Sequence, residues 1–125
     1  MNSKVFLVVR ILLGLLILVF GLNKFLNFIP AGGEMPEPAM NYFGAISSTH
    51  TISLVGIVEV LAGLALILNK YGALMALILM SVSVNAVMFH ATLAPEGIGP
   101  ALGLLILNII VLIGYKDRYK DLLRP

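Results

Sequence analysis

The sequence predicts an all-α membrane fold: a transmembrane four-helix antiparallel bundle with a short interfacial helix between its first two spans. Three features predict it. Of 125 residues, 60% are hydrophobic and 11% charged, against about 45–50% and about 25% in a soluble domain. The apolar residues gather in four segments of roughly 17–25 residues, each long enough for a hydrocarbon layer of ~30 Å. Short connections join the last three, so chain neighbours should run antiparallel. A chain of this length is expected to form a single domain over residues 1–125.

The first span is predicted over residues 4–28. It is too long for a signal-peptide core, and no small-residue cleavage site follows it. Arg10, Gly14, Ile17, Gly21 and Lys24 lie within roughly 40° of one line on the helix. This stripe joins two cations to two glycines and should face other helices, because glycine lets backbones approach closely. Pro30, Gly32, Gly33, Pro36 and Pro38 then break the pattern, with Glu34 and Glu37 among them. From Pro38 to about Ser48 a short helix is predicted, with Pro38 in its first turn. Met40, Phe43 and Ile46 give it an apolar side, and Tyr42 suits the membrane interface. It reads as a lid in which Met40 and Phe43 cover whatever lies beneath; a plain connecting loop is the simpler alternative.

The second span, residues 52–69, carries one charge, Glu59, flanked on its own face by Gly56 and Gly63. A carboxylate deep in a bilayer costs about 2.5 kcal/mol or more and normally has a partner or a wet cavity. The third span, residues 72–93, holds Ser81, Ser83, Asn85 and His90. After the turn around Pro95 and Gly97, Pro100 can open the fourth span, residues 101–115, whose one strongly polar residue is Asn108. The tail KDRYKDLLRP is amphipathic and of mixed charge. It should lie at the membrane surface as an anchor for anionic lipid.

Orientation follows from the cations. With both termini in the cytoplasm, Lys4, Lys70, Lys116, Arg118, Lys120 and Arg124 fall on the inner side, and the outer loops contain no Lys or Arg. Glu59, Asn85 and Asn108 then reach one level, about 10–12 Å below the outer surface at 1.5 Å per residue. Lys24 and His90 lie a turn or so shallower.

The candidate ligand-binding set is therefore Lys24, Glu59, Asn85, His90 and Asn108. Each has a structural alternative. Glu59 and Lys24 could be polar glue between helices, and Lys24 could snorkel to the headgroups. Asn85 and Asn108 could bond across helices, worth about 0.6 kcal/mol on average in measured membrane cases. His90 lies about 140° around the helix from Asn85 and need not share its cavity. Arg10 should meet a headgroup phosphate or a partner helix.

The chemistry classes narrow further. The chain has no cysteine, so thiol–disulfide exchange, iron–sulfur ligation and Cys-type zinc sites within it are excluded. No His, Asp and Glu spacing suits a metal, no catalytic motif is present, and a net charge of +2 without a basic aromatic patch argues against nucleic acid.

Taken in order, RILLGLLILVFGLNKFLNF, MPEPAM, GIVEVLAGLALILNKYGALMALIL, VNAVMFHATLAPEG and YKDRYKDLL resemble the DoxX family of small four-span membrane proteins across nearly the whole chain. Arg10 with Gly14, Gly21 with Lys24, Glu59 with Gly63, Asn85 with His90 and the charged end after Tyr115 carry the resemblance. It implies a four-helix membrane bundle in a group where some relatives are linked to quinone-coupled sulfur oxidation or membrane oxidoreductase complexes, and others to assembly or trafficking of membrane partners.

The expected function is an accessory membrane subunit of an oxidoreductase system. It would hold a quinone or lipid-like molecule in the outer half of the bundle and carry no intrinsic cofactor. The alternative is a non-enzymatic scaffold or assembly factor whose glycine-lined faces bind partner helices. The expected partners are the lipid bilayer, a membrane or redox protein and a second copy in a homo-oligomer. The expected location is a bacterial cytoplasmic (inner) membrane.

Overall fold

The computed structural model describes residues 1–29 and 35–125. The predicted break at Pro30, Gly32 and Gly33, and the loop acid Glu34, lie outside the described residues. The described chain is helical throughout, in the order α1 (Ser3–Leu26), α2 (Glu37–Ser48), α3 (Thr51–Leu68), α4 (Gly72–Thr92) and α5 (Ile98–Gly114). Single 3-10 turns, Pro95–Gly97 and Lys116–Tyr119, precede and follow α5. α1, α3, α4 and Pro95–Gly114 are each long and apolar enough to cross a membrane. The last begins earlier than the sequence pattern suggested, because Ile98 and Gly99 join the helix ahead of Pro100, whose missing N–H costs nothing in a first turn.

Local chemistry sets the helix ends. Asn2 caps α1 by accepting from the amides of Lys4, at 2.8 Å, and Val5, at 3.4 Å. Asn27 and Asn69 end α1 and α3 in the left-handed conformation, with φ of 50° and 53°, which asparagine adopts more readily than branched residues do. α2 has Pro38 in its first turn, as predicted, and starts one residue earlier, at Glu37.

The stripe on α1 is buried at Arg10, Gly14, Ile17 and Gly21, and α1 packs more extensively on α3 than any other pair of helices does. The glycines explain why. A Cβ on Gly63 would stand 2.8 Å from the Gly14 carbonyl oxygen, and one on Gly21 would stand 2.9 Å from the Glu59 Cβ. The two backbones are in contact, which only glycine permits. α4 pairs with α5, and α3 with α4 and α1 with α5 also touch.

Leu13, Ile17, Leu66, Leu79 and Val111 form a fully buried centre. In lipid their contribution is close packing, since hydrocarbon tails are as apolar as Leu. At the end that holds the chain termini, Tyr115 donates to Asn69 Oδ1 at 2.6 Å and Tyr119 to the Ala73 carbonyl at 2.7 Å. Phe6 meets the Tyr115 ring edge-on at 5.0 Å. The tail was expected only to lie on the surface. Its one tyrosine, Tyr119, is instead buried in the core with Tyr115 just before it, and its charges include the exposed pairs Lys120–Asp117 and Arg124–Asp121, which stabilise little.

Arg10 lies near this end, 7% exposed. Its Nη1 donates to the Leu66 carbonyl and, at 3.3 Å, to the Ile67 carbonyl. These belong to the last turn of α3, whose carbonyls lack helical partners and carry the negative end of the dipole. Of the two roles expected for Arg10, the structure shows the contact with a neighbouring helix.

Candidate functional site

The opposite end is built differently. Gly21 and Gly56 bring α1 and α3 together beside Lys24, one turn after Gly21, and Glu59, about two turns into α3. Lys24 Nζ forms an ion pair with Glu59 Oε1. The carboxylate side chain is 3% exposed and the lysine 23%.

The pair lies in the wall of a cavity of about 250 Å³. α1 adds Phe20, α3 adds Val55, and α5 adds Ala101 and Leu104. α4 contributes Asn85, Phe89 and His90, and α2 contributes Tyr42, Phe43 and Ile46. Most of this surface is apolar, with a few converging polar groups, as in small-molecule sites generally.

Its cover is aromatic. Tyr42 stacks on Phe89 with centroids 5.2 Å apart, and Phe43 meets Phe89 edge-on at 4.9 Å. Asn85 Nδ2 donates to the Tyr42 hydroxyl at 3.2 Å. Asn85 itself is exposed, so it stands at the mouth. His90 Nδ1 lies 3.0 Å from the Ala94 carbonyl oxygen. A carbonyl only accepts, so Nδ1 carries the proton and Nε2 keeps its lone pair in the neutral ring.

Four of the five predicted residues, Lys24, Glu59, Asn85 and His90, line this cavity. His90 shares it despite the angle that separates it from Asn85, in a cavity lined from Tyr42 on α2 to Pro100 on α5. Asn108 does not line it. It is fully buried between α4 and α5, accepting from Ser83 Oγ at 2.7 Å and donating to the Ala76 carbonyl at 3.1 Å. Both bonds are made inside the protein, so Asn108 ties helices together and does not reach the cavity.

The lid residues divide in the same way. Phe43 faces the cavity, whereas Met40 is 59% exposed and does not line it. The buried face of α2 runs from Ala39 through Tyr42 and Phe43 to Ile46, a spacing of three or four residues that leaves Met40 outside. Tyr42 and Phe89 line the cavity as well and were not among the expected site residues. Phe89 follows Asn85 by four residues, which puts both on one face, and that signal was available. Among the described residues no three His, Asp or Glu side chains gather as metal ligands.

The DoxX family model matches residues 5–92, which takes in the Arg10–Gly14, Gly21–Lys24, Glu59–Gly63 and Asn85–His90 pairs. The chain belongs to the DoxX family. With four helices apolar and long enough to span a bilayer, this DoxX chain is an integral membrane protein. The match ends at the close of α4, so α5 and the YKDRYKDLL tail fall outside it. No curated protein and no solved structure matches the chain.

Proposed function

We propose that this DoxX-family chain is a membrane subunit that holds the polar head of a quinone or lipid-like amphiphile, with the tail left in the bilayer. In this reading α1, α3, α4 and α5 form an antiparallel four-helix bundle with both termini in the cytoplasm, and α2 rests at the outer interface of a bacterial cytoplasmic membrane. The distribution of Lys and Arg supports that orientation.

The observation that carries the proposal is the cavity. It sets a buried ion pair and a mouth asparagine inside apolar and aromatic walls. Its volume of about 250 Å³ suits a head of roughly eight or more non-hydrogen atoms, taking about 30 Å³ as the share of one water, and is too small for a whole lipid. The family resemblance adds the expectation of quinone-coupled partners. This chain has no thiol of its own, so electron transfer would fall to the amphiphile and a partner protein, which makes the chain an accessory subunit.

The test is to purify the chain in mild detergent, extract what accompanies it and compare the extract with the bulk membrane by mass spectrometry. Enrichment of one amphiphile class, lost in Asn85→Leu, is expected. An extract of bulk composition in both proteins overturns the proposal.

A further inference from the structure

The charges around the cavity select among amphiphile heads. Among the described residues Lys24 is its one Lys or Arg side chain and Glu59 its one acid, and the two are already paired. The cavity therefore presents no net charge. Its surroundings at this end lean negative. No Lys or Arg occurs between Lys24 and Lys70, or between Lys70 and Lys116, whereas exposed Glu37 opens α2 and exposed Glu96 follows the turn after α4. An anion approaching this end meets a repulsive field. To bind Lys24 it would have to displace a carboxylate that is 3% exposed and has no other cation to pair with. Stranding that charge costs more than one new ion pair returns.

The hydrogen-bond inventory adds the second half. Of the three ammonium N–H groups of Lys24, the Glu59 contact occupies one. Asn85 has given one amide hydrogen to Tyr42 and keeps the other, and the Tyr42 hydroxyl hydrogen has no acceptor assigned. The spare donors thus gather around a space walled by Phe20, Phe43 and Phe89.

We infer that the site takes an uncharged head bearing acceptor oxygens, such as a carbonyl or ester, and refuses anionic lipid heads. This rests on the amphiphile reading above and narrows it to one chemical class. The head docks with the Lys24–Glu59 pair intact, receives hydrogen bonds from Lys24 and Asn85, and lies against the aromatic walls. Binding leaves the charge of the pair unchanged, so it carries no obligatory proton exchange.

Native mass spectrometry of the full chain in neutral detergent tests this. The probes are dioctanoylglycerol and a decyl-substituted benzoquinone, both uncharged, and dioctanoyl phosphatidylglycerol, which is anionic. Each is measured as the difference between wild type and Asn85→Leu, which cancels binding at the basic tail. At least one uncharged probe should show an Asn85-dependent component about tenfold or more above that of phosphatidylglycerol. Glu59→Gln, which leaves Lys24 without its counter-charge, should move the preference toward phosphatidylglycerol by about tenfold.

Equal or stronger Asn85-dependent binding of phosphatidylglycerol to wild type overturns this inference and leaves the amphiphile site standing. Absence of Asn85-dependent binding for every probe overturns both. If Glu59→Gln does not fold, the wild-type comparison decides alone.

Discussion

The Lys24–Glu59 pair predicts an unequal double-mutant cycle. Two opposite charges 4 Å apart attract by about 4 kcal/mol at an effective dielectric of 20, and removing one member of a buried pair typically costs about 3–5 kcal/mol because the other is stranded. Exposure decides how that cost is shared. Glu59 is 3% exposed on the inner face of α3, whereas Lys24 is 23% exposed and lies two residues before the end of α1. A stranded Lys24 can swing its ammonium toward the headgroups on a four-carbon stem; a stranded Glu59 cannot leave. Lys24→Met should therefore cost about 3–5 kcal/mol, and Glu59→Gln, which keeps the side-chain shape, about 1–2 kcal/mol. The double variant should fall near Glu59→Gln or above it in stability, giving a coupling energy of about 3–5 kcal/mol. Unfolding in mixed micelles of rising dodecyl sulfate content, followed by far-ultraviolet circular dichroism, measures all four corners. Losses that add to within about 0.5 kcal/mol would show that the two residues are independent. A larger loss for Glu59→Gln than for Lys24→Met would refute the reasoning from exposure.

Three further outcomes are expected. Gly63→Ala should destabilise by about 1–3 kcal/mol in the same unfolding assay, because its Cβ would meet the Gly14 oxygen and the Leu18 backbone nitrogen below 3.0 Å; Gly103→Ala, with nothing within 4 Å, should be neutral or slightly stabilising. Asn108→Leu should lose about 0.6–1.7 kcal/mol with unchanged retention of the enriched amphiphile in the extraction experiment, which separates a helix tie from a ligand contact. Burial, helped by the neighbouring Tyr115, pushes the Tyr119 phenol from 10.0 up to about 12. The folded protein thus holds that proton more tightly than the unfolded chain, so this stabilisation is complete below pH 10 and is lost as the pH climbs to about 12. Midpoints of unfolding should drop across that window, and Tyr119→Phe should drop less while costing about 1 kcal/mol at neutral pH for the lost bond to Ala73.

The spans and the contact between α1 and α3 were legible because membrane helices obey a simple length rule and because a stripe of Arg10, Gly14, Gly21 and Lys24 has one physical use. The sharing of one cavity by Glu59 and Asn85 was legible from depth, since residues at one level on adjacent helices share surroundings, with Lys24 a turn away and within reach. Depth could not separate Asn85 from Asn108. That depends on helix rotation, and each helix is so uniformly apolar that composition fixes it poorly. The site beneath Tyr42 was hidden for a related reason. An aromatic residue on an amphipathic helix is equally at home against headgroups or against Phe89, and only the placement of α2 decides. The burial of Tyr115 and Tyr119 was hidden because YKDRYKDLL mixes charged with apolar residues as a surface helix does.

The cavity has a packing cause that ties the two ends together. Toward the chain termini the space between helices is filled by Leu13, Ile17, Leu66, Leu79 and Val111 and closed by Tyr115 and Tyr119. Toward α2 the cavity-lining positions on α4 and α5 mix large side chains, Phe89, His90 and Leu104, with the smaller Val82, Ala86, Pro100 and Ala101, and the smaller ones leave space unfilled between them. Glycines hold α1 and α3 in contact along their length, so these two helices cannot splay to relieve or widen the gap. The remaining volume must be covered from outside the four long helices, and α2 does so with Tyr42, Phe43 and Ile46. An interior at native density normally leaves no void beyond a water or so. A protein that wanted only a stable bundle would replace Ala86 or Ala101 with leucine and dispense with the covering aromatics. Ala86→Leu is accordingly the decisive steric probe: by filling the gap it should hold stability within about 1.5 kcal/mol while abolishing amphiphile retention. Retention at the wild-type level with leucine in place would mean that the enriched molecule sits elsewhere on the protein.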